Sequence, residues 1–430
     1  MLVRNGWLLT MDPDGTELPA GDVLIEDGVI TTVGQDLAAP AGTEVLDATG
    51  MLVLPGLVDT HRHTWQTPVR HLGAQWSLPD YLRELLFGSG RRFRPEDVYA
   101  GTLLGALTAL DAGITTVVDW SHIQLSPAHS DASVAALRDA GVRAVFAHCG
   151  PIGAEPPAEA GPHPADLRRV RTELLADDQA LVTAAMGARG PDFTGIETTA
   201  ADFGLARELG IPITAHVASG PAGPHQRGIR AMADAGLLGP DLTVVHATGA
   251  SAEDLKMLAD HGCTVSISPQ IELTMPRLGS RVVLRELLAA GIRPGLSVDS
   301  EAAAAGDLFT QMRFALAAHR AATPDGEPPL PAADVLRMAT VDGARTAGLA
   351  DRVGSIEPGK AADLALLRTD SVGLAPLRAA ADAVVLAAHP GMVDTVLVAG
   401  RVVKRGGRLC ADTARARALA TATAEHVLGG

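Results

Sequence analysis

Lysine is almost absent from this chain: Lys256, Lys360 and Lys404 are its only three among 430 residues. Arginine therefore supplies most of the positive charge, and 35 basic side chains stand against 50 acidic ones, a formal net charge of -15. A nucleic-acid or anionic-membrane partner would favour a basic face, and no clustered Lys/Arg run provides one. Cysteine is equally scarce. Cys149, Cys263 and Cys410 are odd in number and widely spaced, which argues against a disulfide framework and leaves no CxxC pair for a structural zinc. Aromatic residues make up 3% while hydrophobic residues make up 47%, so a sizeable core must be built mainly from Ala, Leu and Val. No stretch of about 18 apolar residues without charge occurs, so no transmembrane helix is expected. The opening MLVRNGWLLTMDPDG lacks a long apolar segment and reaches turn residues quickly, so we expect no signal peptide and a cytoplasmic protein.

What is present falls into two textures. The first 50 residues read as short strands and turns, and the same pattern returns near the end in ADLALLR and DTVLVAGRVVKRGG. The middle instead alternates strand-like apolar runs with amphipathic helical spacing. The runs are MLVLPGLVD, ITTVVDW, VRAVFAH, ALVTAAMG, IPITAHV, LTVVHAT, CTVSISP and IRPGLSVD. Eight βα units of this length predict an α/β fold, a (β/α)8 TIM-like barrel, with one small β domain assembled from both termini.

Chemistry in such a barrel gathers at the C-terminal ends of the strands, and polar residues fall there repeatedly. His61 and His63 follow the first strand candidate, His216 ends the fifth, His246 the sixth and Asp299 the eighth. Imidazoles with one carboxylate are the donor set of a catalytic zinc or similar divalent ion. Any one histidine after a strand is more often structural; their joint occurrence on four strands is what points to a metal.

LPGLVDTHRH, the later strand-end histidines, SVD and the tail GSIEPGKAADLALL together resemble the amidohydrolase superfamily, and within it the cytosine deaminase and chlorotriazine hydrolase branch. The resemblance implies a β-sandwich domain of residues 1–56 and 357–411, a metal-dependent hydrolase barrel of 57–356 and a C-terminal helix over 412–430. It implies His61, His63, His216 and Asp299 as metal ligands, His246 beside the metal, and Asp299 also accepting the proton of the metal water. None of the three lysines lies near ALVTAAMGARG, where two-metal relatives carry a bridging carboxylated lysine, so one ion is expected. Zinc is the first choice, with iron or manganese accepting the same donors. The expected activity is hydrolytic deamination or amine release from a nitrogen-containing cyclic or amidine-like small molecule. A homodimer is the assembly that family analogy implies.

One departure bears on mechanism. The branch follows its strand-five histidine with glutamate three residues on, and here HVASG places Ser219 there. A serine hydroxyl is a poor general acid at neutral pH. His122, His148 and Glu272, each near a strand end, are the candidates to replace it, and Trp65 and Gln66 are candidates to stack on and hydrogen-bond a flat substrate. A lyase or isomerase using the same metal as a Lewis acid is the alternative that the missing acid leaves open. A non-catalytic scaffold would not need the five strand-end groups.

Overall fold

The computed structural model describes residues 1–150, 166–220 and 227–429. Eight strands pair in chain order, all parallel: Leu57–Arg62 (β1), Ile114–Ser121 (β2), Arg143–His148 (β3), Val182–Ala188 (β4), Ile213–Val217 (β5), Leu242–His246 (β6), Thr264–Ile267 (β7) and Gly295–Leu296 (β8). Their near-continuous apolar sequences follow from burial on both faces, by helices outside and by packed side chains inside. β2, for example, is buried at every position. The ends of the sheet meet where Arg62 bridges to Asp299. There the Asp299 N–H donates to the His61 carbonyl and the His63 N–H to the Asp299 carbonyl, each at 2.9 Å. The expected barrel is present.

Helices between the strands start and stop on local signals. Ser251 caps Ala252–Asp260 with a reciprocal pair of bonds to Asp254, and Gly141, in the left-handed region at φ 72°, ends Pro127–Ala140. A cap of the first kind contributes about 1 kcal/mol. Val58, Val118, Trp120, Val145, Ala147 and Ala185 pack inside the barrel with Ala344, Leu349 and Val353. The Thr243 hydroxyl, at the start of β6, donates to the Thr346 carbonyl at 3.1 Å, which fixes this plug at the end of the barrel opposite the strand-end histidines.

A second, mixed sheet of nine strands draws on both ends of the chain. Met51–Pro55 sits inside it, parallel to Leu2–Leu9 and antiparallel to Leu364–Arg368. The run MLVLPGLVD, expected as one barrel strand, is therefore two strands in two sheets, divided at Gly56. A Cβ at Gly56 would stand 2.0 Å from the Thr115 hydroxyl, so only glycine lets the chain pass this close to β2. Two ion pairs join sheet to barrel. Arg143 meets Asp363 through two buried bonds of 2.8 and 2.9 Å, and buried Lys404 reaches the Asp111 carboxylate at 2.8 Å. The C-terminal helix Thr413–Leu428 lies against Pro95–Asp111, where Thr423 donates to Asp97 at 3.0 Å. No described helix is long and apolar enough to cross a membrane.

Candidate active site

Alternation along an extended strand sends His61 and His63 into the barrel mouth and Arg62 between them the other way. There they meet His216 from β5, His246 at the end of β6 and Asp299 beyond β8. Asp299 Oδ1 lies 3.5 Å from His61 Nε2 and 3.2 Å from His63 Nε2, and Oδ2 lies 3.6 Å from His246 Nε2. Donor atoms of His61, His216 and His246, and of His61, His63 and Asp299, form two groups, each within 4.8 Å. His246 and Asp299 both hold the left-handed region, at φ 72° and 67°. Such a conformation costs a non-glycine residue roughly 1–3 kcal/mol and persists where the surroundings dictate it, most often at functional sites.

Surrounding groups fix the rings. His63 Nδ1 contacts the Trp120 carbonyl at 2.7 Å, and His246 Nδ1 contacts Glu272 at 3.0 Å. The Trp120 ring lies beneath the cluster, 4.4 Å from the His216 ring, with its indole N–H bonded to the Thr214 carbonyl at 3.3 Å. Although buried, neither nitrogen of His61 has a hydrogen-bond partner, and neither has His216 Nδ1. Burial pushes the His61 ring down to about 3, partly opposed by Asp299, and burial with His61 and His246 nearby pushes His216 well below the usual histidine range. Both are neutral imidazoles at neutral pH, the form that ligates metal. His246 differs: burial lowers it, but its bond to Glu272 and the Asp299 charge outweigh that and raise it. Burial would raise Asp299, yet the close ring nitrogens of His61 and His63 hold it well below the carboxylate range. Unpartnered buried nitrogens, neutral rings and one ionised carboxylate fit a divalent cation.

The cluster opens into a cavity of about 240 Å³. One wall is apolar, formed by Leu78, Leu82 and Leu86 from the segment after β1 and by Ile271, Met275 and Leu278 after β7. Of the residues singled out in the sequence for proton transfer or substrate binding, His122 and Ser219 line this cavity. Trp65, Gln66 and Glu272 stand behind its wall. The Trp65 indole is fully buried against Phe93 and donates to His122 Nδ1 at 3.2 Å, so it cannot stack on a ligand. Gln66 is spent on Tyr81, at 2.6 Å, and on Ser300. Glu272 holds His246. His148 does not reach the cavity: it shares the outward face of β3 with Phe146, where its Nε2 contacts the Ser130 hydroxyl at 3.1 Å under the helix layer. Sequence reasoning missed Asp192, Tyr81 and Ser300, which line the cavity, and Trp120 beneath it.

Comparison with known proteins agrees with this geometry. The amidohydrolase family model matches residues 52–403. The 5-methylthioadenosine/S-adenosylhomocysteine deaminase of Syntrophobacter fumaroxidans is 31% identical over 95% of this chain and 94% of its own. The 5'-deoxyadenosine deaminase of Methanosarcina mazei is 29% identical over 95% and 94%. Among solved structures, a zinc-bound adenosine deaminase from Xanthomonas campestris superposes with a TM-score of 0.86, at 25% identity over 100% of this chain and 98% of that one. Atrazine chlorohydrolase from Arthrobacter aurescens, complexed with zinc, gives 0.87 at 25% identity over 98% and 99%. The likeness takes in the strands that carry the histidines and the sheet that frames them alike, and this chain belongs to the amidohydrolase family, as a hydrolase of carbon–nitrogen bonds other than peptide bonds.

Proposed function

We propose that this protein hydrolyses the exocyclic amino group of an adenine nucleoside whose 5' position carries a small uncharged substituent, releasing ammonia. The observation that carries the reading is the juxtaposition of the histidine–aspartate cluster with an apolar wall in one cavity of about 240 Å³. An uncharged 5'-methylthio or 5'-deoxy end gains from contact with Leu82, Leu86 and Met275. A phosphate there would be desolvated at a cost of several kcal/mol. The deaminase names of the relatives support the same substrate class.

In this reading His61, His63, His216 and Asp299 hold one zinc ion. When bound, the ion supplies a water acidified from a pKa of about 15.7 toward about 7. Asp299 takes the proton of the attacking water. His246, biased toward protonation by Glu272, donates a hydrogen bond to the oxygen that gains charge at the attacked carbon. Trp120 and the Trp65–His122 contact hold the polar groups in place. The sandwich of 1–56 and 357–411, the barrel of 57–356 and the helix of 412–430 are the units we assign around this site.

The test combines metal analysis with ammonia release from 5'-methylthioadenosine, 5'-deoxyadenosine, adenosine and adenosine monophosphate. We expect about one zinc per chain, and kcat/KM at least ~100-fold lower for the monophosphate than for 5'-methylthioadenosine. A zinc-loaded enzyme that releases no ammonia from any of them would overturn the substrate assignment.

A further inference from the structure

Expelling ammonia from a tetrahedral adduct requires a protonated ring nitrogen and a protonated leaving amine. Asp299 is occupied with the attacking water. Ser219, whose hydroxyl lies 3.5 Å from the Val245 carbonyl, offers no acid. His122 offers little more: its Nδ1 accepts from Trp65, and burial beside His63 and His61 pushes it well below the histidine range. It is a neutral ring with a fixed Nε2–H, suited to orienting a ligand.

Among the described residues that line the cavity, the carboxylates are Asp299 and Asp192. Asp192 lies in the short helix Pro191–Thr194 after β4. Its Oδ2 accepts the Ala218 N–H at 2.7 Å, which ties the carboxylate to the peptide between His216 and Ser219. Two glycines make room for it. Gly190, at φ 78°, lets the loop lie against β5, where a Cβ would stand 3.0 Å from the His216 carbonyl. A Cβ at Gly228 would stand 2.5 Å from Asp192 Oδ1 and 2.9 Å from Val217, so any side chain there would evict the carboxylate. Oδ1 has no hydrogen bond among the described residues and remains available to a ligand. The residue is otherwise exposed, and the atoms packed around the carboxyl raise it against the single backbone bond that lowers it.

We propose that Asp192 is the second proton-carrying carboxylate of the reaction, doing from the loop after β4 what Ser219 cannot do from the loop after β5. The inference rests on the deaminase reading above. Protonated Asp192 gives its proton to the ring nitrogen as water oxygen bonds to the adjacent carbon and Asp299 takes the water's proton. Asp299 then returns that proton to the amine and the C–N bond breaks. The hydroxyl proton of the adduct passes to Asp192 as the carbonyl forms. One water is consumed and one ammonia released, and both carboxyl groups end as they began.

The experiment measures kcat, KM and zinc content for the wild type, Asp192→Asn and the double variant Asp192→Asn/Ser219→Glu, on 5'-methylthioadenosine and on an aminotriazine. Asparagine keeps an oxygen for the Ala218 N–H, so the loop is retained. We expect Asp192→Asn to lower kcat by at least ~100-fold with zinc unchanged and KM within about threefold. Glutamate at position 219 should then restore at least ~10-fold, a rescue that a merely structural Asp192 would not permit. An Asp192→Asn enzyme within about threefold of wild-type kcat, or an impaired one without rescue, overturns the proposal. A wild type active only on the triazine overturns the nucleoside assignment and leaves Asp192 judged on that substrate; a wild type inactive on both overturns the two together.

Discussion

Two groups of buried charge interleave in the same few residues, and they are built on opposite terms. His63 and Asp299 face the cavity, and His61 beside them keeps both ring nitrogens without a hydrogen-bond partner. Arg62 and Glu301, their chain neighbours, face away and pair with each other. Arg62 also donates to Asp59 at 3.1 Å and to the Gly306 carbonyl at 3.3 Å, while Glu301 takes Arg70 at 3.2 Å. Asp59 in turn accepts the Val298 N–H at 3.1 Å, so this network holds β1 against the turn that carries Asp299. Buried polar groups are normally paired; a cluster that leaves its pairing unused is poised for something that arrives later. The contrast separates the groups that act from the groups that hold.

Breaking the first cluster should have the largest effect on activity. His61→Ala is expected to lose zinc and to lower turnover by more than about 1,000-fold, beyond the 10–100-fold typical of losing an outer partner. Elemental analysis and ammonia release check this, and an alanine variant that keeps both metal and turnover would remove the ligand assignment. Breaking the second should show in stability first. Arg62→Met leaves Asp59 buried without its cation and Glu301 with Arg70 alone, and should destabilise by about 3–5 kcal/mol in urea unfolding. A loss under about 1 kcal/mol would mean the network is dispensable. Glu272→Gln tests the border between the two, since Glu272 is buried and bonded yet touches His246. We expect kcat to fall about 10–100-fold with zinc retained; unchanged kcat would detach Glu272 from the mechanism.

The smallest effect is a pH dependence. Asp119, behind His63, bonds Thr64 through one oxygen and has no partner for the other. Burial lifts its carboxyl from 3.8 to about 6 despite those bonds. The folded state thus binds the proton more tightly than the unfolded chain, and stability from this group declines as pH rises through that window. In metal-free protein, Asp119→Asn escapes that decline. Its stability relative to wild type should rise by about 2 kcal/mol between about pH 4.5 and 8. A constant difference across that range would show that Asp119 titrates normally.

The barrel and the convergence of His61, His63, His216, His246 and Asp299 were legible because each falls at a strand end, where the period of two and the chain order suffice to place it. Position in depth was not legible. Trp65, Gln66 and Glu272 lie close to the site in sequence and in space, yet stand behind its wall, because what each side chain bonds depends on partners such as Phe93, Tyr81 and Ser268 that only packing brings near. His148 was misplaced by strand parity: Val145 and Ala147 take the inward positions of β3, which leaves His148 the outward one. Asp192 gave no signal, since its place depends on Gly228 from a different helix. The single apparent strand MLVLPGLVD concealed a change of sheet, because both halves are equally apolar and only the close approach at Gly56 divides them.

That change of sheet has a consequence for how the protein is made. Met51–Pro55 needs Leu364–Arg368 as a neighbour, and the Arg143–Asp363 clasp needs the same late segment. On the ribosome, the strand that leads into the barrel emerges early and waits, with one edge unpaired, until the whole barrel has been synthesised. Chains stopped before residue 364 would expose that apolar edge to other nascent copies, so premature termination should yield aggregates rather than a shortened enzyme.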